Sequence, residues 1–105
     1  MMATIALVHV TFADAAEAER IGSTMIAERL AACVAIHPPC RSIYRWAGKV
    51  ERGQEVPATF KTAGMRAERL RAAILRLHSF ELPVIETVIA EVDAAVERWV
   101  GEAIS

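Results

Sequence analysis

The sequence is poor in the residues that mark most small-protein chemistries. Only two cysteines, Cys33 and Cys40, occur in 105 residues. That is too few for a disulfide framework, and they do not form the Cys-x-x-Cys pair that structural zinc sites favour. The five glycines are dispersed, so there is no Gly-rich phosphate loop; a nucleophile elbow and a zinc-protease helix motif are also missing. With no nucleophile–base pair legible from spacing, the chain is not expected to be an enzyme. Charge of one sign is missing too: twelve Lys and Arg against thirteen Asp and Glu leave a formal net charge of −1. No global field therefore recruits nucleic acid or anionic lipid. No segment reaches the roughly 18 apolar residues that cross a bilayer. The opening MMATIALVHVTF alternates and lacks a basic leader and a small-residue cleavage site, which argues against a signal peptide. The expected compartment is the cytoplasm, with both thiols reduced.

What is abundant is apolar surface, at 54% of residues, above the usual share. The length predicts one domain, residues 1–105, able to hold a core without staples. The apolar excess leaves room for a subunit interface as well. Thr4–Thr11 is β-branched and apolar and reads as a strand. Asp14 and Glu17 have capping-box spacing, and Ala18, Ile21, Met25 and Leu30 recur at helical intervals, which predicts a helix from Ala15 to Leu30. Gly22 inside it points to close packing against a neighbour. Ala32–His37 reads as a strand ended by Pro38-Pro39, and Cys40–Val50 as another. The polar stretch Glu51–Glu55 suits a hairpin tip, and Val56–Thr62 a returning strand that Pro57 confines to an edge or bulge. Gly64–His78 carries the stripe Leu70, Ala73, Ile74, Leu77 and reads as a second helix. Val84–Val92, apolar on both faces, is expected to be a central strand. Val96, Trp99, Val100 and Ala103 form the stripe of a short terminal helix.

With Ala32–His37 and Cys40–Val50 counted as one strand broken at the prolines, the order β-α-β-β-α-β-α makes an α+β, ferredoxin-like split βαβ sandwich with an extended hairpin. Helices on one sheet face leave the other needing cover, and apolar residues on both faces point to other subunits as that cover.

Three blocks, RLAACVAIHP (Arg29–Pro38), SIYRWAGKVE (Ser42–Glu51) and EVPATFKT (Glu55–Thr62), followed by LHSFELP (Leu77–Pro83), resemble the CutA family of divalent-cation tolerance proteins. The resemblance covers about Ile5 to Val100. It implies a homotrimer whose hairpin arms wrap neighbours, similar in architecture to the PII signalling trimers, with a role in divalent metal (copper) tolerance. A PII-like small-molecule-binding scaffold is the alternative. The chain departs from the family at Ser79-Phe80, where Pro-Tyr is usual. Copper-binding members carry a thiol ending strand one and a His-His pair; Val10 and Leu77-His78 stand there instead.

The pattern Cys33-x-x-x-His37-x-x-Cys40 raises a metal site directly. On an extended strand, Cys33 and His37 stand about 13 Å apart, too far to share an ion whose ligand bonds are about 2.0–2.3 Å. Cys33 reads first as a small buried hydrophobe, whereas Cys40, at a bend, is as readily a ligand. His78 is either a helix C-cap or a functional residue. His78, Cys33 and Cys40 are the metal candidates for Cu(II) or another divalent ion, assembled across an interface that presents each of them three times. Tyr44 and Trp46 share strand parity; with Lys61 they are the candidates for a small-molecule ligand in an inter-subunit cleft. His9 reads as a satisfied core or interface histidine. The arginines of the second helix alternate with Glu68 and read as a solvated face.

Overall fold

The computed structural model describes residues 1–105. Its elements are β1 (Met2–Phe12), α1 (Ala15–Ala27), β2 (Cys33–Ile36), β3 (Cys40–Trp46), β4 (Lys49–Thr62), a 3-10 turn at Gly64–Arg66, α2 (Ala67–Leu77), β5 (Ile85–Asp93) and α3 (Ala94–Ala103). The sheet runs β2-β4-β1-β5, with β3 continuing the β2 side of β4, and every neighbouring pair is antiparallel. This is the split βαβ order predicted above: β4 lies between β2 and β1, and β1 lies between β4 and β5.

One face of the sheet meets α1 and α2. Ala6, Val8, Val10 and Phe12 of β1 and Val56, Ala58 and Phe60 of β4 pack there with Ala18, Ile21 and Met25 of α1 and Leu70, Ala73 and Ile74 of α2. Leu77, expected in that stripe, is instead exposed, because α2 ends there as the chain leaves the sheet. Helix α1 begins as predicted, with the Asp14 carboxylate accepting the Glu17 N–H at 2.8 Å. It ends at Ala27, short of Leu30, because Arg29 takes a left-handed φ of 59° and turns the chain out. A Cβ on Gly22 would lie 3.2 Å from Val34 Cγ1, so this glycine does let α1 lie close on β2.

Three expectations are corrected. The hairpin tip is Ala47-Gly48, not Glu51–Glu55, since both central residues have positive φ (50° and 79°) and Trp46 pairs Lys49. This two-residue, left-handed pattern matches the twist of the flanking strands, and Gly48 supplies the φ that other residues resist. Strand β4 is central, so of the two alternatives for Pro57 the edge fails and a bulge forms instead. The Pro57 carbonyl accepts from His37 N at 2.9 Å, but its nitrogen cannot return the bond, so β2 stops at Ile36. The ladder resumes one register on at Cys40↔Glu55, leaving Pro38 and Pro39 opposite Val56 as a bulge. Strand β5, expected to be central, is an edge that pairs only β1; its two-sided apolar character leaves Val88 at 47% and Ile89 at 59% exposure.

Helix α3 packs on β1 and β5. By alternation Ile5 lies on the face away from α1 and α2, and it is buried along with Val100 and Ile104 of α3. Of the other members of the predicted α3 stripe, Ala103 is half-buried, and Val96 and Trp99 stay exposed. Arg66 ties the α3 end down, its guanidinium donating to the carbonyls of Arg29 at 2.8 Å and Ile104 at 3.1 Å. The hairpin β3–β4 extends beyond the core and accounts for the elongated shape, 47 × 25 × 23 Å.

Candidate functional site

The register shift at the bulge decides which side chains share a face. Odd positions of β4 lie with odd positions of β2 but with even positions of β3. The sheet face away from α1 and α2 therefore carries Cys33, His37, Cys40, Ser42, Tyr44 and Trp46 along one line. On β4 it carries Lys61, Thr59 and Glu55, and on β1 His9 and Thr11.

At the root of the hairpin this line forms a cavity of about 720 Å³ against the turn after α2. Its walls include Ser42, Tyr44, Trp46 and Glu55 of the hairpin, Thr11 of β1, and Phe80, Leu82 and Val84 of the turn. Tyr44 and Trp46 thus share a face, as their parity predicts, at 45% and 43% exposure. Lys61 does not join them: it lies at the far end of β4, opposite Cys33 and Leu7. Nor does it pair with Glu55, which is held by Ser42 instead, the hydroxyl donating to Glu55 Oε2 at 2.7 Å. Cys40 faces Glu55 across the strands, its Sγ 3.9 Å from Ser42 Oγ. Both thiols are free and partly buried.

His78 stands behind the turn that forms one cavity wall. Its ring stacks on Phe12, centroids 5.0 Å apart and planes 13° from parallel. Nε2–H donates to the Thr11 carbonyl at 2.8 Å, and Nδ1 accepts the Phe80 N–H at 3.0 Å. Both ring nitrogens are therefore engaged within the chain, and the C-cap reading of His78 gains a second function, which is to fix Phe80 at the cavity. No three His, Cys, Asp or Glu side chains converge as a metal-holding group in one chain; Cys33 stands on β2, Cys40 on β3, and His78 just past the end of α2.

Three polar links escaped sequence reading. Glu17, 4% exposed, accepts the Ala13 N–H through Oε1 and the Ser79 N–H through Oε2, each at 3.0 Å. It therefore joins the start of α1 to the turn after His78. Burial pushes its carboxyl up, but the bonds from Ser79 and Ala13 and the nearby His78 outweigh burial and hold it below the ordinary value. The capping-box spacing flagged Glu17, but its second partner depends on tertiary structure. The second link is Ser42–Glu55, which needs the hairpin register. The third is Thr59, whose hydroxyl contacts His9 Nδ1 at 3.1 Å and His37 Nε2 at 2.9 Å; it satisfies His9 as expected. On α2, Arg71 grips Glu68 with two bonds of 2.9 and 2.7 Å, in keeping with a solvated, self-paired face.

Comparison with known proteins gives one consistent result. The sequence model of the family described as CutA1 divalent ion tolerance protein matches residues 6–103. The divalent-cation tolerance protein CutA of Pyrococcus horikoshii is 34% identical over 97 residues, 91% of this chain and 94% of that one. The CutA of Thermus thermophilus has the same identity and coverage. Among solved structures, a periplasmic divalent cation tolerance protein CutA from Archaeoglobus fulgidus superposes with a TM-score of 0.91 at 28% identity, covering 98% of this chain and 100% of that one.

Proposed function

Because the chain belongs to the CutA1 divalent ion tolerance family, we propose that it serves tolerance of divalent metal ions, copper among them, as a homotrimer. In this reading it binds the ion at or near its subunit interfaces and catalyses no reaction. The observation that carries the reading beyond the family is the placement of Cys40 opposite Glu55, beside a cavity walled by exposed Tyr44, Trp46, Leu82 and Val84. A thiolate suits copper and zinc, and a carboxylate next to it adds charge. Two donors do not close a site that wants about four. Copies related by a threefold axis supply every donor again, and the apolar walls give those copies something to bury. Cys33 is the weaker donor because the Lys61 ammonium is its cross-strand neighbour. His78 contributes by holding the turn, since ligation there would cost it both hydrogen bonds. The two free thiols suit a reducing compartment, and we place the protein in the cytoplasm; cell fractionation is the check.

Anaerobic calorimetric titration with Cu(II) tests the site. Wild type is expected to bind saturably, Cys40→Ala to lose that binding, and His78→Ala to retain it at reduced stability. Absence of saturable binding in wild type, or unchanged binding in Cys40→Ala, overturns the reading.

A further inference from the structure

We propose that His9 and His37, bridged by Thr59, form a second divalent-metal site, with imidazole rather than thiolate ligands. It shares with the proposed function only the premise that this chain meets divalent ions. The two histidines are far apart in sequence, yet β4 brings them together. His9 is the cross-strand partner of Thr59 on one side, and His37 follows the end of β2 on the other. Both ring nitrogens point at one oxygen, His9 Nδ1 at 3.1 Å and His37 Nε2 at 2.9 Å. A threonine hydroxyl has one proton. It can donate to at most one ring, and its oxygen has lone pairs to accept an N–H from either. In the tautomer where it donates, that imidazole's lone pair is aimed into the gap, and moving one proton frees the second.

The spacing suits an ion. Two nitrogens hydrogen-bonded to a common oxygen lie roughly 5 Å apart. Two imidazoles on a tetrahedral ion, with bonds of about 2.0–2.1 Å, lie roughly 3.3 Å apart. The difference falls on His37, which is exposed and lies past the last ladder pair of β2, so its ring turns without disturbing the core. The environment favours a cation on the other side as well. Glu86 of β5 is the direct cross-strand partner of His9 on the same face, is exposed, and makes no ion pair. Directly opposed side chains have Cβ atoms about 4.5–5.5 Å apart, so its negative charge stands near the pair without completing a three-ligand group. Lys61, further along β4 on the same face, opposes the charge and sets a limit on affinity. Helices α1 and α2 cover the other face of the sheet and offer the pair no competing side chain.

Cobalt(II) titration of the full chain distinguishes this site from the one at Cys40. Thiolate ligation adds sulfur-to-metal charge-transfer absorption, whereas imidazole ligation gives visible d–d bands alone. In Cys40→Ser, saturable d–d bands without the sulfur band are expected. In Cys40→Ser combined with His37→Ala, or with His9→Gln, affinity is expected to fall more than about tenfold. His37→Ala alters an exposed side chain and keeps the fold testable if His9→Gln fails to fold. Cobalt binding confined to the sulfur-band site, unchanged by His37→Ala, overturns this inference and leaves the proposed function standing. Binding that needs His37 but not Cys40 supports the inference and overturns the thiolate site. No saturable binding in wild type overturns both.

Discussion

Glu17 is the residue on which the most local structure converges. One carboxylate oxygen closes the first turn of α1, the other holds the Ser79 amide, and Ser79 follows the histidine that fixes Phe80. Its folded pKa is depressed despite burial. The sign follows: its contribution to stability is whole above the unfolded value, about 4.5, and drains as pH falls through the folded value. Glu17→Gln is expected to flatten this acid limb and to lower stability at neutral pH by about 1–3 kcal/mol, because an amide leaves one buried N–H facing a donor. Urea unfolding at pH 7 and pH 4 checks both parts; an unchanged acid limb would refute the assignment. His78→Ala removes the Phe12 stack and orphans the Phe80 N–H. It is expected to lower the melting temperature by several degrees, on the scale of about 4–8 °C per kcal/mol for domains near this size. If His78 were a metal ligand, the same substitution would also abolish Cu(II) binding, so the two measurements separate its roles.

At the scale of elements, the hairpin arm depends on Ala47-Gly48. A β-branched residue at Gly48, φ +79°, is strained by about 1–2 kcal/mol. Gly48→Val should speed amide exchange along β3 and β4 roughly 5–30-fold while leaving α1 and α2 unchanged. Gly53→Ala is the control: it has open space around it and no left-handed φ, so exchange should not rise. The same arm shows what the sequence conveys and what it does not. The stripes Ala18-Ile21-Met25 and Leu70-Ala73-Ile74 are periodic, and periodicity survives folding, so both helices and their buried faces were legible. The polar run Glu51–Glu55 read as a tip because polarity was taken for a turn; it is polar because both its strands leave the core. Pro57 read as the mark of an edge or a bulge because the rule concerns a missing donor. The bulge is what forms, since a central strand can lack one donor where its neighbour ends. Likewise, no local pattern records that Thr59 joins His9 and His37, which the β1–β4 and β2–β4 registers set, or that Ser42 meets Glu55, which the one-residue shift at Pro38-Pro39 sets. Parity placed Tyr44 and Trp46 on one face, as the register has them, whereas Lys61 was joined to them by analogy with PII-like clefts and lies elsewhere in a single chain.

For the whole molecule, the deciding fact is how much greasy surface one chain leaves in water. Ile43, Val50, Leu82, Val84, Val88 and Ile89 are each about half exposed or more, and they fall on the arm, the cavity turn and the edge strand β5. Scattered apolar residues are normal on a protein surface, but a contiguous stretch of them marks an interface. An unpaired edge strand with an apolar outer face is also a template for uncontrolled pairing unless something covers it. The arm has no cover within the chain, α3 covers β5 only in part and leaves Val88 and Ile89 exposed, and charge on the arm, at Lys49, Glu51 and Arg52, guards only its outer half. Closed assembly around a threefold axis meets both needs, because it buries the arm against neighbours without leaving a free edge to propagate. Sedimentation equilibrium at micromolar concentration is therefore expected to give three times the chain mass. Ile43→Glu, which sets a carboxylate in the cavity wall, should shift the equilibrium towards smaller species, and Arg69→Glu, on the solvated face of α2, should not. Circular dichroism of the dissociated Ile43→Glu chain then distinguishes two cases. A subunit that keeps its helices alone shows that the sixteen-residue core is self-sufficient; one that unfolds shows that folding and assembly are the same event. A wild-type chain that sediments as a stable monomer would overturn the proposed trimer, and with it the proposed interfacial metal site at Cys40.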